Sequence, residues 1–252
     1  MPHCAKCGHE MLETASFCPA CGHPASQPPS ESAPSTKRIT ASLPLGEYLK
    51  TGWELFKSYP GWYIGFFLIY VVLQAVSRFI PFVGPVASFA VGPALMMGIF
   101  IVSAKLLQGH TPQFNDFFLG FRFFIPLLLT ALVGGVLIGI GMVLLIIPGV
   151  YLLVGYLFAS FLVVDRRLDF WAALELSRRT VQPIWFSMFA FVLLLMLINL
   201  AGVVALGIGL LVTVPVTACA ITAAYADIFG LLSDYSEAFP DNFPAEAGTP
   251  GA

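Results

Sequence analysis

Two long stretches of this chain contain no Asp, Glu, Lys or Arg: residues 123–164 and residues 180–226. Residues 58–77 and 79–104 are also uncharged and are separated by Arg78 alone. One bilayer crossing takes about 20 apolar residues, so each of the two longest stretches is long enough for two crossings. With 58% hydrophobic and only 10% charged residues, the composition excludes an ordinary soluble domain and predicts an integral membrane protein.

The apolar stretches predict an all-α membrane bundle of six transmembrane helices in three tight hairpins. Its turns are predicted at IPFVGP (residues 80–85), at IPG (residues 147–149) and at the glycines around Gly207 and Gly209. Pro215 is an alternative position for the last turn. The predicted spans are 61–80, 85–107, 124–146, 149–165, 184–206 and 210–231.

The positions of the basic residues predict the orientation, because Lys and Arg in short loops remain on the cytoplasmic side. In a six-helix arrangement only Arg78 lies on the far side. We therefore expect a multi-pass protein of the bacterial inner membrane with both termini in the cytoplasm. The residues on the side of the N-terminus are Lys37, Arg38, Lys50, Lys57, Lys105, Arg122, Arg166, Arg167, Arg178 and Arg179.

Before the membrane body, the chain carries two Cys-x-x-Cys-Gly turns, CAKCG and CPACG. Each turn places two thiolates on one side of a tight loop, and the two turns together supply the four tetrahedral ligands of a structural Zn²⁺ with no open position. The predicted metal ligands are Cys4, Cys7, Cys18 and Cys21. Two disulfides or an iron centre of the rubredoxin type would use the same four residues.

Three histidines, His3, His9 and His23, flank the turns, and four thiolates already complete the metal shell. The pattern, with Phe17 before the second turn, resembles the short zinc ribbons at the N-termini of many bacterial membrane and regulatory proteins. Because this stretch has no basic surface, we expect no nucleic acid as partner and instead a cytoplasmic protein that binds the ribbon. A reducing cytoplasm also disfavours disulfides.

Composition divides the chain into four parts. We predict a zinc ribbon at 1–23, a disordered Pro/Ser linker at 24–44, the six-helix transmembrane domain at 45–232 and a disordered acidic tail at 233–252.

Each predicted hairpin is preceded by a short amphipathic segment that ends in a basic residue. In the second segment Phe114, Phe117, Phe118 and Phe121 fall on one helical face, with Thr111 as the predicted N-cap and Pro112 at the first helical position. We expect these helices to lie in the headgroup plane. In the third segment Asp169 is the predicted cap, and Arg178 and Arg179 end the helix. Either three repeats or common selection for membrane anchoring explains the similarity of the segments.

Few polar groups fall within the predicted spans. The amides of Gln74 and Asn199 are expected to form hydrogen bonds between helices, and Cys219 is expected to be a small buried hydrophobe. Asp165 and Asp227 lie near the inner ends of the fourth and sixth helices. Gly135 and Gly139 form a GxxxG spacing, with Gly134 and Gly141 beside it, that predicts close packing of the third and fourth helices.

The run IPGVYLLVGYLFASFLVVD at residues 147–165, followed by AALELSRRT at residues 172–180, resembles a broad bacterial family of multi-pass proteins. That family includes the membrane domains fused to some glycerophosphodiester phosphodiesterases. Pro148, Gly149, Asp165, Ala173 and Ser177 match its pattern. No phosphodiesterase domain is present, so the resemblance implies a membrane fold and no transferable chemistry.

Taken together, these features predict a membrane-anchored adaptor or scaffold without enzymatic activity. The zinc ribbon would bind a protein partner while the helices remain in the lipid bilayer. The alternative is a transporter or channel built from three two-helix repeats, with Arg78, Asn199 and Asp227 as pathway groups. The sequence gives neither a substrate nor an oligomeric state.

Overall fold

The computed structural model describes residues 43–80, 83–205, 207–231 and Tyr235. The chain divides into two compact units, Met1–Lys37 and Arg38–Ala252, and every described residue belongs to the second. The predicted zinc ribbon, with its four cysteines, and nearly all of the predicted linker and tail lie outside the described residues.

Within the described residues all regular secondary structure is helical, and there is no strand. Two 3₁₀ segments, Phe114–Phe123 and Gln182–Ile184, lead into α4 and α8. The α-helices, in chain order, are α1 (Leu45–Ser58), α2 (Pro60–Ser77), α3 (Val83–Leu107), α4 (Phe124–Leu144), α5 (Ile146–Gly155), α6 (Ala159–Arg166), α7 (Phe170–Val181), α8 (Trp185–Val204) and α9 (Leu210–Phe229).

Six stretches of the described residues are long and apolar enough to cross a bilayer, which confirms the predicted fold class. They correspond to α2, α3, the first 3₁₀ segment with α4, α5 with α6, α7 with α8, and α9. Pro215 lies inside α9, so the last turn precedes Leu210 and lies near the predicted glycines. Gly207 has a φ of +75° there, a conformation that a residue without a Cβ adopts readily.

Helices α3 and α9 form the centre of the bundle. In the most apolar 18-residue stretch of each helix, 50% of the residues of α3 and 56% of those of α9 are buried, compared with 17% of those of α2. The outer faces of α2, α4 and α8 instead expose apolar side chains, including Val72, Val143 and Phe186. Such a surface suits a hydrocarbon environment, because apolar side chains that face lipid do not carry the free-energy cost of exposure to water.

The three amphipathic segments pack along membrane helices and not only beneath them. Helix α1 contacts α9 so closely that a Cβ added at Gly52 would lie 2.7 Å from the backbone nitrogen of Ala220. The first 3₁₀ segment lies against α3, where a Cβ added at Gly98 would overlap the carbonyl oxygen of Phe117. Helix α7 lies against α4, α5 and α6. The first 3₁₀ segment and α7 therefore each pack along the second span of the preceding hairpin. Helix α1, which has no preceding hairpin, packs along the second span of the last one.

This packing corrects the expectation that the phenylalanine face of the segment meets lipid, because part of that face lies against α3. The position of the segment relative to the headgroup plane stays a prediction. Phe117 is fully buried, because glycines in α3 and in the 3₁₀ segment allow the two backbones to approach. The predicted cap is also wrong: Thr111 and Pro112 precede the helical residues, which begin at Phe114 after the cap residue Gln113. The carboxylate of Asp116 accepts the backbone N–H of Gln113 at 2.8 Å and closes this turn. By contrast, Asp169 caps α7 as predicted.

The third and fourth spans pack closely, but not through the predicted GxxxG pair. A Cβ added at Gly135 or Gly139 would meet open space. The contact is made by Gly141, where an added Cβ would lie 3.0 Å from Gly149 of α5. Gly134, on the same face, approaches the Leu174 side chain of α7. The prediction therefore chose the wrong face of α4.

The fourth span is interrupted between α5 and α6, and a side chain of α7 bridges the interruption. The hydroxyl of Ser177 donates to the carbonyl oxygen of Gly155 at 2.7 Å and accepts the N–H of Phe158 at 3.2 Å. Both backbone groups would otherwise lack a helical partner in a buried position, which is costly in an apolar environment. By pairing with both groups, Ser177 stabilises the interrupted helix.

Candidate functional site

The C-terminal ends of α3, α6 and α9 come together at one end of the bundle, which we call the basic end. Because the hairpins are antiparallel, this is also the end from which α2, α4 and α8 begin. Several ionisable and phenolic side chains meet here and form what we call the polar layer. Its members are Tyr48, Lys105, Asp116, Asp165, Arg166, Tyr225, Asp227 and Tyr235.

Asp165 is the centre of the polar layer. Its side chain accepts the phenolic hydrogens of Tyr225 at 2.8 Å and Tyr235 at 2.9 Å, and the residue is only 3% exposed. The backbone N–H of Tyr235 also donates to the side-chain oxygen of Gln108 at 3.0 Å. A carboxylate can be buried when hydrogen bonds replace its hydration. Asp165 thereby joins α6, α9 and the segment that follows α9.

Tyr235 belongs to the segment that composition predicts to be a disordered tail. Its ring is fully buried and lies edge-on to Phe100 with the centroids 5.9 Å apart. Burial, with the negative charge of Asp165, raises the pKa of Tyr235 well above its ordinary value. At least this side chain of the segment is therefore held by the bundle as a neutral phenol.

A second carboxylate, Asp227, accepts the hydroxyl hydrogen of Tyr48 at 2.7 Å and links α9 to α1. The Tyr48 ring also packs edge-on against Phe191 of α8. Burial is the main cause that raises the pKa of Tyr48, and the hydrogen bond to Asp227 adds to it. This contact fixes the start of the membrane body to its last helix.

Lys105 and Asp116 form a buried ion pair. The ammonium nitrogen lies 3.1 Å from each carboxylate oxygen, and the side chains are 1% and 7% exposed. Nearby, the guanidinium of Arg166 donates to the carbonyl oxygen of Phe229 at 2.7 Å, at the C-terminal end of α9 where unpaired carbonyls gather. Lys105 therefore balances the charge of a buried carboxylate, and Arg166 satisfies a carbonyl at the end of α9.

The chemistry of the polar layer is that of a clamp. Its carboxylates accept hydrogen bonds from phenols, a lysine and a backbone amide, and those bonds join α1, α3, α6, α9 and the first 3₁₀ segment. In the part of the chain that the structure describes, no group of three His, Cys, Asp or Glu residues is placed to hold a metal ion.

The remaining polar residues within the spans are dispersed. Asn199 donates to Thr217 of α9 at 3.2 Å, which confirms the predicted bond between helices. Gln74 instead donates to Tyr70 on its own helix at 2.9 Å, so that prediction is wrong. Cys219 is fully buried, as predicted, with its sulfur 3.3 Å from the hydroxyl of Ser103.

The three proposed pathway groups of the transporter alternative do not come together. Asp227 contacts Tyr48 at the basic end, whereas Asn199 bonds within the α8–α9 pair. Arg78 caps the C-terminal end of α2, at the opposite end of the bundle. The structure therefore shows no continuous polar path through these residues.

Sequence reasoning identified Asp165 and Asp227 but missed their phenolic partners and the ion pair. Lys105 reads as one more basic residue at a helix end, and Asp116 as a polar residue in an aromatic segment. The available signal was the position of Asp116 between phenylalanines, because a carboxylate in an apolar segment requires a partner.

Comparison with known proteins supports only the N-terminal part of the sequence interpretation. Residues 3–25 match the zinc-ribbon domain family. No curated protein and no solved structure matches the chain. The resemblance of the membrane body to the glycerophosphodiester phosphodiesterase membrane domains therefore finds no support.

By its six apolar spans this chain is a multi-pass transmembrane protein. At its N-terminus it carries a zinc ribbon, a metal-binding domain. Two Cys-x-x-Cys pairs lie within residues 3–25, and four thiolates are a donor set that suits Zn²⁺. The donor chemistry of the segment therefore fits the metal that its family implies.

Proposed function

We propose that this protein is a membrane-anchored adaptor, in which the zinc ribbon binds a cytoplasmic protein and the six-helix body remains in the lipid bilayer. The observation that carries the proposal is the presence of a zinc ribbon on a chain whose remaining structure is a clamped, apolar bundle. A small metal-stabilised domain supplies a rigid surface for a partner without a large core.

In this proposal Cys4, Cys7, Cys18 and Cys21 hold a structural Zn²⁺. A segment of this length buries too little apolar surface to fold alone, so metal binding would supply most of its folding free energy. Four thiolates leave no coordination position for water or substrate. The metal would therefore shape a binding surface and carry out no reaction.

The proposal places the ribbon and both termini in the cytoplasm of a bacterial cell, with the body in the inner membrane. Its support is the excess of Lys and Arg on one side of an even number of spans. A reducing compartment keeps the four cysteines available to zinc.

The body contributes anchoring and rigidity in this proposal, and the protein is not an enzyme. The buried polar side chains are used to join helices. A transporter is less well supported, because Arg78, Asn199 and Asp227 contact different parts of the bundle.

The test compares the intact protein with the double variant Cys4→Ser, Cys7→Ser and with the matched control His9→Ser. His9 lies in the same ribbon and has no assigned ligand role. We expect one zinc ion per chain in the wild-type protein and in His9→Ser, and loss of zinc in the double variant. A photo-crosslinker placed in the ribbon should capture the same partner in the first two proteins and not in the third. Capture that is independent of zinc would refute the adaptor role.

Orientation is tested by thiol labelling in sealed, right-side-out cells. A reagent that cannot cross membranes should leave the four ribbon cysteines unlabelled after zinc chelation and should label them after permeabilisation. Labelling in the sealed cells would place the ribbon outside the cytoplasm.

A further inference from the structure

At the end of the bundle opposite the polar layer, α2 and α3 line an open cleft of about 500 Å³ that has no part in the proposed adaptor function. Its polar wall includes Tyr70, Gln74, Ser77, Arg78 and Ser88. A smaller apolar groove continues from it toward the middle of the membrane and shares Gln74, Ser77 and Ser88 with it. Together they form one amphipathic cleft.

The floor of the cleft is held by direct contacts between the two helices. The hydroxyls of Ser77 and Ser88 are hydrogen-bonded to each other, and Ser77 also donates to the carbonyl oxygen of Gln74 at 2.8 Å. A Cβ added at Gly84 would overlap the carbonyl oxygen of Ser77, so the two backbones meet at this point. The cleft is therefore already formed in the isolated chain.

The charge in the cleft is uncompensated within its lining. Arg78 is the one basic residue that the sequence places at this end of the bundle, and the lining of the cleft contains no Asp or Glu. An exposed guanidinium beside hydroxyl and amide groups is suited to bind a phosphate.

The depth of Arg78 matches that of lipid phosphates. Helix α2 has 18 residues, which span about 27 Å at 1.5 Å per residue, close to the hydrocarbon thickness of about 30 Å. The adjoining groove opens beside Leu73, which is 47% exposed on the outer face of α2. The groove has a volume of only about 60 Å³, so an acyl chain of the surrounding bilayer can place a short part of its length there while its headgroup stays at Arg78.

We propose that this cleft is a binding site for an anionic phospholipid, with the phosphate on Arg78 and one acyl chain in the groove between α2 and α3. Phosphatidylglycerol fits better than phosphatidylcholine, because the choline cation would repel Arg78 and meet no carboxylate in the cleft. The second N–H of the Gln74 amide, which is not used by Tyr70, is placed to donate to an ester oxygen. The hydroxyl oxygens of Ser77 and Ser88 already give their hydrogens to the protein and can accept from the glycerol hydroxyls.

The experiment titrates the intact, detergent-solubilised protein with palmitoyl-oleoyl phosphatidylglycerol or phosphatidylcholine and counts bound lipids by native mass spectrometry. The variant Arg78→Gln should bind phosphatidylglycerol about tenfold more weakly, as expected for loss of one charge-assisted contact. The matched control is Lys57→Gln, which removes an exposed cation at the opposite end and should leave the affinity unchanged. Arg78→Lys should retain most of the binding.

A second variant tests the groove. Gly92 lines it, and a Cβ added there would only reach 3.9 Å from the amide nitrogen of Gln74. Gly92→Ile should fill the groove and weaken the binding of phosphatidylglycerol, whereas Gly92→Ala should leave that binding unchanged. Thermal unfolding of each variant verifies its fold.

Three results would overturn the proposal. Equal binding of the two lipids by the wild-type protein would show that the charge of the headgroup does not matter. Equal losses in Arg78→Gln and Lys57→Gln would show nonspecific attraction to the protein surface. Finally, soluble glycerol phosphate that displaces the lipid at equal concentration would identify a site for a free anion without a chain in the groove.

Discussion

Removal of the Asp116 carboxylate tests whether the polar layer clamps the bundle. Asp116→Ala leaves the ammonium of Lys105 buried without the carboxylate whose two oxygens lie 3.1 Å away. Breaking a buried ion pair from one side costs about 3–5 kcal/mol. The variant also loses the acceptor of the Gln113 amide, which favours the upper part of that range.

Thermal unfolding in detergent, followed by tryptophan fluorescence, measures this loss. For a chain of this size about 3–5 kcal/mol corresponds to a Tm lower by roughly 6–20 °C. The matched control is Arg179→Gln, because Arg179 pairs with Glu175 at 2.6 Å but its side chain is 72% exposed. An exposed pair contributes less than about 1 kcal/mol, so this control should unfold close to the wild-type Tm.

The double variant Lys105→Met, Asp116→Leu separates pairing from simple loss of volume. With both members of the pair replaced, neither of these two charges is left buried without its partner, so its Tm should lie well above that of Asp116→Ala. The reasoning is refuted if Asp116→Ala unfolds within about 2 °C of the wild-type protein, or if the double variant is less stable than the single one.

Three further predictions concern packing and titration, and all use the same unfolding assay. Gly98→Ala should destabilise strongly because the added Cβ has no space, whereas Gly135→Ala, in open space, should be neutral or stabilising by up to about 1 kcal/mol; equal effects would contradict the close packing at Gly98. Ser177→Ala should cost about 2–4 kcal/mol, since it leaves two buried backbone groups unpaired, and a cost below about 0.5 kcal/mol would show that water replaces the hydroxyl. The raised pKa values of Tyr48 and Tyr235 mean that the folded state holds these phenolic protons more tightly than the unfolded state. Their stabilising contribution should therefore be complete below about pH 10, the ordinary tyrosine pKa, and fall as the pH rises above it. Tyr48→Phe with Tyr235→Phe should flatten that fall, and an unchanged slope would contradict the assignment.

The spans were predictable because they depend on one-dimensional properties of the chain. Charge-free length located all six, and the cap at Asp169 depends on its immediate neighbours. The glycine contacts were not predictable in the same way. Helix α4 is apolar on every side, so no periodicity in its sequence distinguishes the face of Gly134 and Gly141 from that of Gly135 and Gly139. Only the neighbouring helices determine which face is buried.

The sequence indicated which residues of the polar layer require partners. It did not indicate which residues those partners are. Asp165 and Asp227 were recognisable as carboxylates near helix ends in an apolar chain. The hydrogen bonds that satisfy them join residues 60, 70 and 179 positions apart. Such pairs follow from the order of helices around the bundle, which hydropathy does not encode.

The bridge that Ser177 makes across the fourth span has a consequence for synthesis. Gly155 and Ser177 are 22 positions apart, so the ribosome completes the fourth span before it makes the residue that satisfies it. At about 5–20 residues per second, that delay is roughly one to four seconds. Until α7 is made, the carbonyl of Gly155 and the N–H of Phe158 lack the hydroxyl that pairs with them in the folded protein. We therefore expect this crossing to reach its full stability only after α7 has docked. Docking of the segment that precedes the third hairpin thus completes the second hairpin.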